Sequence, residues 1–435
     1  MINLPSGVSL TVNRNREGTL NFQNRVHKIE LKLTLKSDAS AEHPSDKNLE
    51  LTYLDTILFT APDGTPTTGI DADVSGPYLS YEGFPELPAA TYTGNGFGRD
   101  GPGGRRVAID CEGLVLGSDG TFWISDEYGP YIYQFSRVGK MLRAIQPPDA
   151  YIPRRNGKVS FSSASPPIFS RQSRVKPEDP ESGRNNNQGF EGLTLSDDGK
   201  ELCALLQSAL VQEGGKKKKT RRQARLIVYD ISDPDKAKYV REHIVSLPLY
   251  DDEGEKKVAG NSDILHVNGN QFLILARDSD AGHGAKKTLS LYRQVDIFDT
   301  SNATNIKSDH YDSTTGAIAN NQGELLDNIV PAQYFPFLNI NDSSELARFK
   351  LHNGGNQDSS LLNEKWESLA IVPVDAESTA TKSNNNGKGC FLFCFSDNDF
   401  VTSDGRMDFG DFEFEDPSLY ELDSQVLVFH LTLPI

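Results

Sequence analysis

The sequence is poor in cysteine, long apolar runs and targeting signals. It has four cysteines in 435 residues. Cys390 and Cys394 would lie about 13 Å apart along one strand, which is too far for a disulfide, so we expect buried thiols. No stretch approaches the roughly 18 apolar residues of a membrane-spanning helix. The N-terminus shows no basic segment followed by an apolar one, so no signal peptide is visible.

Positive charge is also scarce. The chain has 44 Lys and Arg against 61 Asp and Glu, a formal net charge of −17, which argues against nucleic acid as a partner. It also lacks the GxSxG motif of serine α/β-hydrolases and the HExxH, CxxC and P-loop motifs. These absences leave acidic residues as the main source of chemistry.

The central stretch is 106–135, which contains a predicted β-hairpin with an Asp119-Gly120 turn. Asp-Gly between two apolar runs is a strong hairpin signal. Such a hairpin brings Asp110 and Glu112 beside Asp126 and Glu127. Four crowded carboxylates repel one another unless a cation or proton lies between them.

The same hairpin recurs at 189–207, 260–278 and 366–397, and in this comparison Asp263 stands where Glu112 and Glu191 stood. Recurring hairpins predict a radial repeat. We therefore expect an all-β fold, a single β-propeller of six or seven four-stranded blades. Segments 61–105 and 146–188 are predicted to be long loops on one face.

Further strands are predicted from alternation and apolar runs. They span 26–36, 49–59, 131–136, 141–145, 225–230, 240–247, 291–298 and 425–433. Residues 300–365 are expected to be mostly loop, with a short helix near 344–348.

The acids at the ends of the hairpins predict a metal site. Carboxylate and amide oxygens suit a hard cation such as Ca²⁺. The proposed ligands are Glu112, Glu191, Asp263 and Glu367, followed by Asp126, Glu127, Asp278, Asp397 and Asp399, with Asn261 as a neutral donor. Alternatively, each carboxylate caps a turn.

Groups for anion contact and proton transfer are fewer. Arg154 and Arg155 are predicted to bind substrate, since guanidinium groups bind phosphate oxygens in pairs. Arg277, Asp126, Glu127 and His283 are the predicted catalytic residues. His283 lies between Gly282 and Gly284 and is the best general-acid candidate. The alternative for each cation is a surface charge or an ion pair between blades.

With these motifs assembled, the chain resembles the phytase-like family, described as having esterase-like activity of phytase, and is most similar to its secreted fungal members. The matching segments are Asp110–Leu114, Ser125–Gly129, Pro153–Arg155, Asn187–Leu193, Leu206–Leu210, Ala276–Asp278, Gly282–Gly284, Trp366–Leu369 and Ser396–Phe400. The resemblance implies a β-propeller, calcium dependence, hydrolysis of phosphomonoesters or other esters, and an extracellular location. Similar family members usually begin with a signal peptide and further strand sequence, whereas here only an irregular stretch precedes the match, which runs from about Thr19 to the C-terminus. We therefore divide the chain into this irregular stretch, 1–18, and a propeller domain, 19–435.

Three functional hypotheses follow. The first is a calcium-dependent, phytase-like phosphatase in which a metal-activated water attacks the ester. The second is an esterase or lactonase of the calcium-propeller type. The third is a non-catalytic propeller stabilised by calcium. The expected partner is a small phosphate or carboxylic ester, with no nucleic acid and no membrane, and we expect a monomer.

Overall fold

A computed structural model describes residues 21–165, 176–233, 236–279, 281–374, 389–416, 418 and 420–434. The predicted irregular stretch 1–18 lies outside these residues. No helix within the described ranges has the length and apolar composition needed to cross a bilayer.

Two antiparallel ribbons precede the first blade. One pairs β1 with β2 and the other pairs β3 with β4. Their bounds are β1 Arg25–Leu33, β2 Leu49–Leu58, β3 Ala89–Tyr92 and β4 Gly104–Val107. Both strands predicted within 26–59 are confirmed, but they pair with each other rather than joining a blade.

The first blade is a four-stranded antiparallel meander in sequence order. Its strands are β5 Cys111–Leu116, β6 Phe122–Asp126, β7 Ile132–Phe135 and β8 Met141–Ile145. It contains the predicted central hairpin. A short hairpin follows, formed by β9 Arg154–Arg155 and β10 Lys158–Val159.

The second blade repeats this order, with β11 Phe190–Leu195, β12 Glu201–Leu206, β13 Gln223–Asp230 and β14 Lys238–Ser246. The ribbon β15 Leu249–Asp252 and β16 Glu255–Val258 leads to the third blade. That blade comprises β17 Gly260–Asn268, β18 Gln271–Arg277, β19 Arg293–Asp299 and β20 Gln333–Asn339. β20 lies in a stretch that was predicted to be loop.

Helices are few: α1 Asp309–Asp312 and α2 Ser343–Ala347, the latter confirming the predicted short helix. The fourth blade has three strands in the described residues, in the order β21, β22, β25. The remaining strands are β21 Trp366–Pro373, β22 Gly389–Ser396, β23 Gly405–Met407, β24 Phe412–Phe414 and β25 Val426–Thr432.

The fold is therefore an all-β propeller, but the described residues form four blades rather than six or seven. Outer strands are weakly patterned in the sequence, so the blade number could not be derived from the four hairpins. Instead, ribbons and loops occupy 25–107, and loops with the short helix α1 occupy 300–332. Apolar clusters join each blade to the next along the chain; one connects Ile132 and Trp123 of the first blade to Phe190 and Leu206 of the second.

The innermost strands approach closely, and this explains the repeated Glu-Gly-Leu motif. A side chain at Gly113 would place Cβ 2.6 Å from Leu193 Cβ in the next blade, and one at Gly192 would lie 2.9 Å from Ile264 N. Only glycine tolerates such approach of one backbone to another. The motif thus marks the contact between successive blades.

Candidate functional site

Each innermost strand carries a β-bulge at the same end. The ladder register shifts between Cys111 and Leu114, between Phe190 and Gly192, between Asn261 and Asp263, and between Trp366 and Ser368. A bulge re-aims one side chain locally. Here the bulged residues are Glu112 with Gly113, then Glu191, Ser262 and Glu367.

This register corrects one sequence comparison. Asp263 is equivalent to Gly113 and Gly192, and Ser262 takes the place of the glutamate. The Asp263 carboxylate accepts the amides of Leu369, at 2.8 Å, and Ile264, also at 2.8 Å. The bond to Leu369 joins the third blade to the fourth. In the first two blades the same contact with the next blade is made by Gly113 and Gly192. Burial raises the pKa of Asp263 to about 8, although the Leu369 hydrogen bond opposes the shift.

The second strand of each blade contributes one residue to the same end. It is the residue that follows the partner of the first-strand residue before the bulge. Asp126, Leu206, Ala276 and Ser396 face the first-strand residues Cys111, Phe190, Asn261 and Trp366. The residue that follows is Glu127, Gln207, Arg277 or Asp397 in turn. The Glu127 amide donates to Asp110 O at 3.1 Å, the Gln207 amide to Gly189 O at 2.9 Å and the Asp397 amide to Lys365 O at 2.7 Å. The backbone thus holds these positions alike in successive blades.

Three carboxylates converge on the first blade. Asp110, Glu112 and Glu127 each offer an oxygen, and these oxygens lie within 4.8 Å of one another. Glu127 is 1% exposed, whereas Asp110 and Glu112 are half-buried. Gln207 Nε2 bridges to the second blade, since it donates to Glu127 Oε1 at 3.3 Å and to the Glu191 carboxylate.

Asp110, Glu112, Glu127 and the neighbouring Glu191 lie too close together in a buried place for all four to carry a negative charge at low cost. Burial, together with the Asp126 charge, raises the pKa of Asp110 to about 8. Burial and the Glu367 charge raise the pKa of Glu191 to about 7. Burial and the Glu191 charge raise the pKa of Glu112 and of Glu127 well above the ordinary value. Such groups hold protons or a cation when they share a site.

The bulged ends of the four innermost strands are called the ring below. The positively charged side chains of this ring lie on the third and fourth blades. Arg277 donates through Nε to Ser262 Oγ at 3.1 Å and pairs with Glu367. Lys365 Nζ lies 3.8 Å from Glu367 Oε1 and 3.4 Å from Asp399 Oδ1. Lys365 is not among the residues predicted from the sequence, although its position directly before the Trp366-Glu367 motif was an available signal.

Asp126 lies beside the cluster but is bound by the chain itself. It accepts the amides of Asp110, Tyr128 and Gly129 at 2.9–3.0 Å and the Tyr133 hydroxyl at 3.2 Å. Burial raises its pKa to about 6, against these hydrogen bonds. Asp126 therefore orders the loop that carries Glu127, and its proposed catalytic role stays a prediction.

Two further predicted ligands have other contacts. Asp278 accepts Ser290 Oγ and the Leu291 amide, both at 2.6 Å. Asp397 is half-buried and accepts the Asn398 amide at 2.7 Å. Burial raises the pKa of Asp397, and the Lys365 charge opposes that shift. Asp397 adjoins the ring, whereas Asp278 anchors the segment after β18.

The predicted substrate arginines lie in the β9–β10 hairpin. Arg155 is buried and donates to the carbonyls of Glu178, Ser160 and Ser162, among others. Arg154 pairs with Asp149 at 3.4 Å. The Arg155 guanidinium thus fastens its own loop, and the structure does not bring either arginine into contact with the acidic cluster.

His283 is likewise in a separate contact network. Its amide donates to Leu362 O at 2.8 Å, and its ring centroid is 6.3 Å from that of Tyr420. Burial lowers its pKa. No contact in the described residues joins the His283 ring to Asp110, Glu112 or Glu127, so its role as general acid stays a prediction.

Comparison with known proteins identifies the family. The chain matches the Phytase-like family, described as "Esterase-like activity of phytase", over residues 10–400. The chain belongs to this family. It is also 55% identical over 399 residues to a secreted protein of Arthroderma benhamiae that is described as uncharacterized, covering 90% of this chain and 77% of that protein.

A solved structure also aligns with this family member. It is a proposed 6-phosphogluconolactonase from Bacteroides fragilis, 13% identical, and the match covers 92% of this chain and 98% of the other. The TM-score is 0.23, too low for the alignment to bear on function.

Proposed function

We propose that this family member is a hydrolase that releases phosphate from small phosphomonoesters with the help of a divalent cation, calcium. The observation that carries the proposal is the convergence of Asp110, Glu112 and Glu127 at the bulged ends of the first blade. Their ligand oxygens lie within 4.8 Å, in a protein with no other strong catalytic motif in its sequence.

The residues around the cluster fit a hard cation. Glu191 Oε2, Glu367 Oε2 and Asn261 Oδ1 are buried oxygens without a hydrogen-bond partner. A buried acceptor without a partner is costly. The donor set consists of carboxylate and amide oxygens, as calcium prefers. Asp110, Glu112 and Glu127 would hold the ion, with Glu191 at its border.

A bound cation would polarise a phosphoryl oxygen and lower the pKa of a coordinated water. The chain's own residues do the rest. Gln207 Nε2 fixes the carboxylates of Glu127 and Glu191 relative to each other. Glu191 Oε2 lacks a partner and is the acceptor proposed for the proton of the attacking water. Water adds to phosphorus and gives a proton to Glu191, the P–O ester bond breaks, and the leaving alkoxide takes up that proton from Glu191 as the alcohol.

Hydrolysis of carboxylic esters or lactones is the second candidate. The family description itself names an esterase-like activity, and the same cation would polarise a carbonyl oxygen. The two candidates share a site, so only the substrate separates them. A parallel screen of aryl phosphates, aryl carboxylates and lactones, each with calcium and with chelator, decides between them.

A screen with no turnover of any ester would leave a calcium-stabilised, non-catalytic propeller. Calcium would then raise the midpoint of thermal unfolding without any chemistry. Turnover of phosphate esters alone supports the first candidate.

We further propose an extracellular, monomeric protein that acts on a small ester rather than on nucleic acid or a membrane. The relative from Arthroderma benhamiae is described as secreted. The net charge of −17 opposes binding to polyanionic nucleic acid. All four cysteines lie in the described residues and are free. Fractionation of a culture tests the extracellular location, and size-exclusion chromatography tests the monomeric state.

A further inference from the structure

The ring of bulged strand ends is not electrically uniform. Each blade contributes two positions. One is the bulged residue of its first strand, and the other is the residue that follows the second-strand partner of the residue before the bulge. In the first blade these are Glu112 and Glu127. In the third blade the equivalent positions carry Ser262 and Arg277. One sector of the ring is therefore cationic, although the strand ends are built alike.

A second cation enters through the fourth blade. Lys365 directly precedes the bulged Trp366-Glu367 pair, at the position held by Asp110 in the first blade and by Gly189 in the second. Replacement of an acid by a lysine at the same place in the ring reverses the local charge. Lys365 and Arg277 share one partner, the Glu367 carboxylate.

The two cations differ in how much of their hydrogen-bonding capacity is used. Arg277 is 8% exposed, and its nitrogens contact Ser262, Glu367, Glu364 and Asp278 O. The Lys365 side chain is 30% exposed. Its ammonium is 3.4 Å from Asp399 and 3.8 Å from Glu367, so it retains donor capacity toward a ligand that enters the ring. An ammonium has three donors.

Lys365 and Asp110 stand at equivalent places in their blades. The Asp397 amide donates to Lys365 O at 2.7 Å, just as the Glu127 amide donates to Asp110 O at 3.1 Å. Lys365 therefore lies at the same end of the innermost strands as the proposed cation site. A lysine so placed can contact the anionic oxygens of a group held against the cation.

We propose that Lys365 binds a non-bridging phosphoryl oxygen of the substrate, and that Arg277 positions it through the shared Glu367 carboxylate. This inference rests on the proposed function, since it deepens the same site. It assigns the acidic sector to the cation and the Lys365 sector to the oxyanion. It also makes Glu367 a positioning residue through its Oε1, which faces both Arg277 and Lys365.

The test measures binding, separately from turnover. Calorimetry follows calcium alone and then phenylphosphonate, a non-hydrolysable analogue of an aryl phosphate, on wild-type protein with and without calcium. Lys365→Met should weaken phenylphosphonate binding about tenfold or more, since a charge-assisted hydrogen bond is lost. It should leave calcium affinity unchanged or tighter, because a positive charge leaves the ring. Lys365→Arg should retain most of the phosphonate affinity.

Lys32→Met is the matched control, because it removes a lysine from the exposed Lys32–Glu50 pair on the β1–β2 ribbon. Thermal unfolding confirms that each variant is folded. Phenylphosphonate affinity that is equal in wild type and Lys365→Met overturns the inference and leaves the proposed cation site standing. Wild type that binds no phenylphosphonate in either condition also overturns it. Wild type that binds phenylphosphonate but no calcium overturns the proposed function, and the Lys365 comparison is then decided without calcium.

Discussion

Gln207 occupies in the second blade the position that Glu127 occupies in the first, and its Nε2 lies 3.3 Å from Glu127 Oε1. A carboxylate and its neutral isostere thus stand side by side at the ends of equivalent strands. The same amide also donates to Glu191. Glu127 is thus the acid of the first blade whose neutral counterpart the second blade already carries.

Glu127→Gln should therefore convert the first blade to the arrangement of the second. We expect calcium affinity to fall about tenfold or more, because ligand charge sets affinity in such sites. Without calcium the variant should unfold at a higher temperature than wild type, since one buried, repelled carboxylate is gone. Calorimetry and thermal unfolding in chelator measure the two effects.

Asp119→Asn is the control for this change, because Asp119 lies in the turn at the other end of the same hairpin. It removes the same charge without touching the ring. Equal calcium affinity in wild type and Glu127→Gln would contradict the assignment of Glu127.

The stabilisation by calcium should increase with pH. The pKa of Asp110 is raised to about 8 and that of Glu191 to about 7 by burial and nearby acids. Because the folded pKa values exceed the unfolded ones near 4, the calcium-free fold binds more protons than the unfolded chain between these values. Its stability therefore falls as pH rises from about 4 to about 8.

A bound cation offsets this loss, so the calcium-induced rise in unfolding temperature should be larger at pH 8 than at pH 5. Thermal unfolding with calcium and with chelator at both pH values measures it. An equal or larger rise at pH 5 would count against the cluster as the cation site.

A buried ion network in the second blade should matter for stability alone. Arg225 pairs with Glu213 and Glu242, and all three side chains are 0% exposed. Arg225→Leu leaves two buried carboxylates unpaired and should lower the free energy of unfolding by about 3–5 kcal/mol. Urea unfolding measures the change.

Arg241→Leu is the matched control, since Arg241 pairs with Glu201 on the same blade at 29% and 32% side-chain exposure. Loss of this pair should cost about 1 kcal/mol or less. Similar losses in the two variants would show that burial does not set the strength of these pairs.

Asp71 lies outside the ring and should also make the free energy of unfolding depend on pH. It accepts Ser162 Oγ at 2.7 Å and the Ser163 amide at 2.6 Å, and burial raises its pKa to about 6. The folded state therefore holds this proton more tightly than the unfolded one. Relative to Asp71→Asn, wild type should lose up to ~3 kcal/mol of stability as pH rises from about 4 to about 7.

Urea unfolding of both proteins across this range gives the difference. A difference that is constant with pH would mean that Asp71 titrates normally in the fold.

The sequence predicted the four hairpins and their acids because both depend on local signals. Asp119-Gly120 sets one turn, and the Glu-Gly-Leu motif marks the close approach of innermost strands. The Asp110, Glu112 and Glu127 cluster follows from one hairpin and was within reach of such reasoning.

Features that depend on register and tertiary contact were not predictable in this way. Asp263 was matched to Glu191 because both are acidic, whereas the strand pairing shows that Ser262 is the bulged residue and that Asp263 corresponds to Gly192. Arg155 was predicted to bind substrate, but its guanidinium donates hydrogen bonds to Ser162 O and Glu178 O within its own loop. Lys365 directly precedes the Trp366-Glu367 motif in the sequence, but only the strand pairing places it opposite Asp397 at the end of the innermost strands.

The most direct test is release of inorganic phosphate from an aryl phosphate and from inositol hexaphosphate, by wild type and Glu127→Gln, with excess calcium and with chelator. We predict release by wild type that requires calcium and that falls strongly in the variant, while Asp119→Asn behaves as wild type. Background release by wild type in both conditions, or equal release by Glu127→Gln, would contradict a cation-assisted phosphatase at this ring.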